Sequence, residues 1–384
     1  MVQWQPKIIV PAVLGLIFVM GFLFGNISKS CPEFTRLVPE QEVVQGKPLV
    51  SSGGKESVPK VANVPNEDGV IYVDLSEEEP TLPSIAKTVT RYLHEPVSCS
   101  KMENFNPSFV YFIFSVAARY DRRKAIRETW GKYIRPECGT RLIFVLSVIE
   151  GTEETREANE KLQKELDEES VKYKDILQFG QIIDGSRTLT QKARLTFEWF
   201  LRECPTAAYI AKGEDHTWVD HVKLSKFVTG LEADSVFGHR VYQGSPVFRD
   251  PKSYFYVSRE DYKEDNWPEY MISMIYVIPK LVLEHLLEKA KEVHEIPLED
   301  VYWTGLVADH AKISRKNTEG YEYDYIIDRN RNVKCPKKEL IAVRYMPPTE
   351  FYKYEEDKCD TYPQCTPLAV QTNATIPAGV DIGR

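Results

Sequence analysis

The sequence predicts an α/β domain on a mixed, mostly parallel sheet with helices on both faces, and two observations carry that expectation. Between Phe109 and Asp215, four apolar runs of strand length alternate with longer amphipathic runs, the rhythm of β-α-β units. Polar and charged residues cluster just after those apolar runs, where ligands sit in such sheets. In order, FVYFIFSV at Phe109–Val116 reads as a buried strand. Asp121 offers an N-cap oxygen to a helix through RRKAIRETWG at Arg122–Gly131. RLIFVLSV at Arg141–Val148 is the next strand, and TEETREANEKLQKELDEE at Thr152–Glu169 a long charged helix. DILQFGQI at Asp175–Ile182, LTQKARLTFEWFLREC at Leu189–Cys204 and AAYIAKGED at Ala207–Asp215 continue as strand, helix and strand. Glu299-Asp300 then opens a helix-like EDVYWTG. No internal repeat is visible, and after Gly320 no period appears, so that region's fold stays open.

Ser115, Glu214 and Asp215 fall at the C-terminal ends of the expected strands. Arg123 and Arg127 stand one turn apart on a helix face opposite Ile126 and Trp130. They form either a clamp for phosphate or carboxylate or a solvated basic face. Glu214-Asp215-His216 places two carboxylates and an imidazole in three residues, a metal-binding combination or simply a polar strand end. Glu299 and Asp300 suit a helix start, where the dipole favours a carboxylate. His285, His294 and His310 have no partners at ligand spacing and read as ordinary residues.

The two ends of the 384-residue chain do not look like core. Residues 1–7 form a short tail, and the uncharged run Ile8–Gly25 is long enough to act as a transmembrane signal anchor. Residues 26–98, rich in Pro, Glu and Ser, read as a flexible stem that cannot bury enough apolar surface to fold. The folded domain is expected at 99–320, followed by a tail at 321–384. Seven cysteines fit an oxidising compartment and leave one odd. Cys31 is the natural odd one, either bridging two copies into a dimer or left as an inert thiol. Asn373-Ala-Thr is an N-glycosylation acceptor. A net charge of −8 argues against a nucleic-acid partner.

The string RRKAIRETWG closely resembles the R-x-A-I-R-x-T-W-G signature of the β-1,3-galactosyl- and N-acetylglucosaminyltransferases, glycosyltransferase family 31. Further matches follow in family order: DILQF at Asp175–Phe179, DGSRTLTQK at Asp184–Lys192, and CPTAAYIAKGEDHTWVD from Cys204 to Asp220. WPEYMISMIYVI at Trp267–Ile278 and LEDVYWTGLVA at Leu298–Ala308 complete the series. The resemblance covers about Cys99 to Arg315 and implies a GT-A-like nucleotide-diphospho-sugar transferase fold in a Golgi type II membrane protein. It implies transfer of galactose or an N-acetylhexosamine from a UDP-sugar to a glycan, in β-1,3 linkage, by an inverting, Mn²⁺-assisted mechanism.

By the same resemblance Asp300 is the general base, and Ser115, Arg123, Arg127, Lys192, Glu214 and Asp215 surround the donor. Trp267, Tyr270 and Glu299 would meet the acceptor, although large aromatics are more often core. His216, with Asp215, would take the metal position that the family fills with the last of three aspartates. Other departures are Met271, Ile272, Ser273, Met274 and Ile275 where the family has a cysteine and glycines, and Ser186 and Thr188 for a tyrosine and an asparagine. They keep open a non-catalytic relative that binds glycans or partners another transferase.

Overall fold

The computed structural model describes residues 90–102, 107–322 and 340–356. Its strands, in chain order, are β1 (Tyr92–His94), β2 (Phe109–Phe114), β3 (Thr140–Val148), β4 (Ile176–Ile183), β5 (Tyr209–Glu214), β6 (Trp218–Val219), β7 (Ser235–Val241), β8 (Tyr270–Pro279), β9 (Ser314–Asn317), β10 (Tyr321–Glu322) and β11 (Ala342–Val343). Eight form one sheet in the order β1-β4-β3-β2-β5-β8-β7-β9, and β10-β11-β6 form a small second one. The run β4-β3-β2-β5 is parallel. At β5 the sheet changes character: β8 pairs antiparallel with β5 and with β7, while β9 is parallel to β7. The sheet is therefore mixed, with its parallel part where the apolar runs alternate with helices.

Central β2 shows why its sequence is apolar at every position. Val110, Phe112 and Phe114 feed one core and Phe109, Tyr111 and Ile113 the other, because helices cover both faces. Those helices are α1 (Tyr120–Glu128), α2 (Arg156–Tyr173), α3 (Leu189–Glu203), α4 (His221–Thr229) and α5 (Lys280–Lys289). On α3 the buried residues Ala193, Thr196, Phe197 and Phe200 recur at helical spacing. Arg119, not Asp121, is the N-cap of α1; Asp121 lies in the first turn, where it faces the positive end of the dipole instead.

Ahead of Cys99, β1 already joins the sheet by pairing antiparallel with β4. A disulfide joins Cys99 to Cys204 at the end of α3, and Cys138 is disulfide-bonded as well. Residues 340–356, left open by the sequence, belong to the same fold. β11 pairs with β6, and α6 (Pro348–Glu356) returns across α1, where Tyr352 donates to Glu128 and Tyr354 sets its ring against Trp218 at 5.5 Å. The anchor Ile8–Gly25, the stem, Cys31, Cys335, Cys359, Cys365 and Asn373 lie outside the described residues. Among the described residues no helix is long and apolar enough to cross a membrane.

The arginine face of α1 is neither solvated nor open to a ligand. Arg123 is fully buried and places each of its five N–H groups: two on Glu169 of α2 at 2.9 and 2.6 Å, and one each on Ser115 Oγ, the Val116 carbonyl and the Ala117 carbonyl. Arg127 forks onto Asp175 at 2.8 and 2.9 Å, meets Glu169 at 2.7 Å, and lies between the rings of Phe144 and Tyr173. The donor-binding role expected of Arg123 is thus corrected, since an arginine with no N–H left has nothing to offer a phosphate, while Arg127 has its charge engaged by Asp175 and Glu169. Burial alone would push the Glu169 carboxyl up, yet Arg123 and Arg127 hold it below its ordinary value. Glu169→Gln, which leaves two buried guanidiniums short of charge, should cost about 3–5 kcal/mol of stability in urea unfolding; a loss below about 1 kcal/mol would show that the pairs merely break even.

Candidate active site

The site forms where the parallel strands β2 and β5 end and antiparallel β8 runs past them. Ser115 follows β2, and its hydroxyl donates to Asp215 Oδ2 at 2.7 Å. The other Asp215 oxygen accepts from Arg119 at 3.1 Å, with Arg122 at 4.0 Å. Burial pushes the Asp215 carboxyl up, although Arg119, Ser115 and Arg122 oppose the shift.

Glu214 ends β5, and the turn that follows, closed by the Thr217 N–H on the Glu214 carbonyl at 3.1 Å, carries Asp215 and His216. Glu214 accepts from Ser273 Oγ at 2.7 Å and from Arg344 at 3.1 Å, and the same oxygen as the latter lies 3.1 Å from His216 Nε2. Burial would raise Glu214, but Arg344, His216, Lys212 and the Ser273 hydroxyl outweigh it and hold the carboxyl at about 2. Burial, reinforced by Arg344, Arg122 and Arg119 against the pull of Glu214, holds His216 down at about 4, so its imidazole is neutral at neutral and mildly acidic pH.

Asp300 caps the π-helix Val301–Val307, accepting from the Val301 N–H at 2.9 Å. Its other oxygen accepts from the Ser273 N–H at 3.1 Å. Ser273 therefore ties together two carboxylates, Asp300 through its backbone and Glu214 through its hydroxyl. Burial raises the Asp300 carboxyl above its usual value, with Lys212 and Arg344 opposing.

Other expected residues have different surroundings. Lys192 is buried between Asp184 at 2.5 Å and the Ser115 carbonyl at 3.3 Å. It fixes the strand end from beneath. Glu299 is 3% exposed and pairs with Lys212 at 2.5 Å and the Tyr276 hydroxyl. Trp267 is equally buried and stacks on Tyr262 at 4.6 Å. Neither can present its side chain to an acceptor, which corrects both expectations. Tyr270 is half-buried at the start of β8; a Cβ on Gly305 of the π-helix would come within 3.2 Å of its own Cβ. Ile275, in place of a family glycine, points into the core opposite Gly213. A Cβ at Gly213 would lie 3.1 Å from the Ile113 side chain and 3.2 Å from the Met274 carbonyl, so glycine on β5 makes room for the bulk on β8.

The donor set does not suit Mn²⁺. A hard divalent ion is held by several oxygens, carboxylates foremost. Arg119 already faces one Asp215 oxygen, and a guanidinium and an imidazole face one Glu214 oxygen, so a divalent ion would have to displace or adjoin positive charge at both carboxylates. Among the described residues no group of three acidic, histidine or cysteine side chains converges.

Sequence reasoning missed Arg119, Arg122, Ser273 and Arg344. Arg119 and Arg122 flank the start of a motif already singled out, so their place beside a strand end was readable. Arg344 had no such signal, standing 130 residues from Glu214 in a stretch without period.

Comparison with known proteins supplies the family. The sequence model described as "Galactosyltransferase" matches residues 121–319. Mouse lactosylceramide 1,3-N-acetyl-beta-D-glucosaminyltransferase is 32% identical over 53% of this chain and 54% of its own length. Human UDP-GlcNAc:betaGal beta-1,3-N-acetylglucosaminyltransferase 8 is 29% identical over 70% of this chain and 65% of its own. The chain spans about half the length of the first of these relatives. A solved structure, apo mouse xyloside xylosyltransferase 1, aligns over 62% of this chain and 97% of that one at 11% identity with a TM-score of 0.28. With a family match over 121–319 that contains Arg123, Ser273, Glu214 and Asp300 alike, the chain belongs to the galactosyltransferase family, glycosyltransferase family 31.

Proposed function

We propose that this chain is a Golgi type II membrane hexosyltransferase with a GT-A-like domain, anchored by Ile8–Gly25. It moves a hexose from a UDP-sugar to a glycan hydroxyl in β-1,3 linkage with inversion. Galactose and N-acetylhexosamines are the candidate sugars, and the names of the relatives favour N-acetylglucosamine. The observation that carries the reading is the Ser273 bridge, which ties the half-buried Asp300 carboxylate to Glu214 at the strand ends.

In this reading Asp300 Oδ, with lone pairs left beyond its two backbone hydrogen bonds, takes the proton of the acceptor hydroxyl. The acceptor oxygen then bonds to the anomeric carbon from the face opposite the leaving group. The bond from that carbon to the β-phosphate oxygen breaks, and UDP departs with the electron pair. Arg119 and Arg122, exposed enough to reach solvent, stabilise the charge that develops there. Tyr254, exposed near Glu214, is proposed to stack on base or sugar in place of Trp267. Tyr254 lies within electrostatic range of Glu214 and hydrogen-bonds Ser186. A non-catalytic relative is the second reading, favoured by the acidic motif altered at Glu214 and His216; UDP-sugar binding without turnover would establish it.

Asp300→Asn should lower turnover by roughly 10²- to 10⁴-fold while UDP affinity and thermal stability stay near wild type. Undiminished turnover would remove Asp300 as the base. The carboxyl must be ionised to accept a proton and burial raises its pKa, so kcat/KM should fall as pH drops through a value above the ordinary ~3.9 of an aspartate. Glu214, at about 2, stays ionised across that limb, and a pH–rate profile that keeps its acid limb in Asp300→Asn would assign the limb elsewhere. For topology, Asn373→Gln should abolish a glycosidase-sensitive mass shift of the expressed protein. Digestion of the C-terminal part by protease added to sealed microsomes would contradict a lumenal domain.

A further inference from the structure

Resting on the nucleotide-donor reading above, we propose that Arg344, flanked by Arg119 and Arg122, replaces the divalent cation, so that this chain binds the donor diphosphate without metal. Three observations carry the inference. First, the Arg344 guanidinium lies 3.1 Å from the Glu214 carboxylate, at the very motif where a bound cation would neutralise phosphate. His216 supplies no negative charge where the family has an aspartate, and the Glu214 carboxylate beside it is already paired with Arg344.

Second, the position is built rather than incidental. β11 pairs in register with β6, with Val343 opposite Trp218, and the Met346 N–H donates to the His216 carbonyl at 2.9 Å. Arg122 donates to the Met346 carbonyl at 3.2 Å. These bonds fix Arg344 beside Glu214 from both sides. Third, the adjoining Tyr345 holds a left-handed backbone, φ +59°, which costs a bulky residue energy and persists where the surroundings impose it. That conformation sets the Tyr345 ring edge-on to His216 at 5.1 Å, with the Arg344 guanidinium 4.6 Å over the same ring. An aromatic, a guanidinium and an imidazole thus stand together beside Glu214.

The charges close as well. Arg119, Arg122 and Arg344 stand against Glu214, Asp215 and Asp300, leaving no surplus of negative charge to repel a diphosphate. Planar guanidiniums match phosphate oxygens in pairs.

Calorimetric titration of the full chain in detergent with UDP tests the proposal, run in EDTA and again in millimolar MnCl₂, with uridine as the phosphate-free control. The expected result is UDP affinity equal within about threefold in the two buffers. Arg344→Gln should weaken UDP by about 10- to 100-fold and leave uridine unchanged, and Arg344→Lys should restore part of the loss. If Arg344→Gln fails to fold, shown by thermal melting, the wild-type comparison of EDTA with Mn²⁺ and the lysine variant still decide. UDP binding that requires Mn²⁺ would overturn the replacement while leaving the nucleotide reading intact. Absence of UDP binding in both buffers would overturn both.

Discussion

The candidate site depends on the buried guanidinium of Arg123. The turn between β2 and α1 carries Ser115, Val116 and Ala117, whose Ser115 hydroxyl and Val116 and Ala117 carbonyls lie beyond the end of β2. Arg123 gathers three of them from one side and returns two bonds to Glu169 on the other. A buried arginine is tolerable only with its charge matched and every N–H placed, and here both conditions are met by a residue on a different helix. Through Ser115 the constraint passes to Asp215 and from there to Arg119. The signature arginine is therefore a positioning residue: it holds the strand end still so that other side chains can present themselves.

This explains which parts of the molecule were legible in the sequence. The strand and helix rhythm from Phe109 to Asp215 reflects burial on both sheet faces, a local property, and the elements lie within a few residues of their expected places. Direction was not legible at β8, because an apolar strand reads alike parallel or antiparallel. Site residues fared according to whether their partners are near in sequence. Glu214, Asp215 and Asp300 stand at element ends and were found there. Arg123 and Arg127 share a helix face as expected, but what that face meets, Glu169 and Asp175, is a tertiary fact. Trp267 and Glu299 illustrate the same limit, since a residue suited to a ligand is equally suited to a core contact.

The β5–β8 junction shows how the family pattern has been redistributed. Ile275 pairs with Gly213 on the opposite strand, and its side chain lies where a Cβ on Gly213 would come within 3.4 Å of it. Ser273 introduces a hydroxyl whose bond to Glu214 links that carboxylate to Asp300 through a single residue. The two substitutions, alarming as isolated letters, have partners in the fold. A polar network of this kind stiffens a site when all of its members are satisfied.

The pairing of β11 with β6 also has a consequence for how the protein comes into being. The eight-stranded sheet, the first core and Asp300 are encoded before residue 320, whereas Arg344, Tyr345, α6 and the second core's Leu340, Ile341, Val343, Met346 and Phe351 come after it. During synthesis the sheet can assemble while its cleft still carries Glu214, Asp215 and Asp300 against only Arg119 and Arg122, an imbalance unfavourable to an anionic ligand. Emergence of the last strand from the ribosome corrects it. Under the proposed reading, competence to hold a nucleotide would be coupled to completion of the chain through residue 356, and a product of premature termination would lack both the guanidinium proposed to receive the donor and the last buried side chains of the second core.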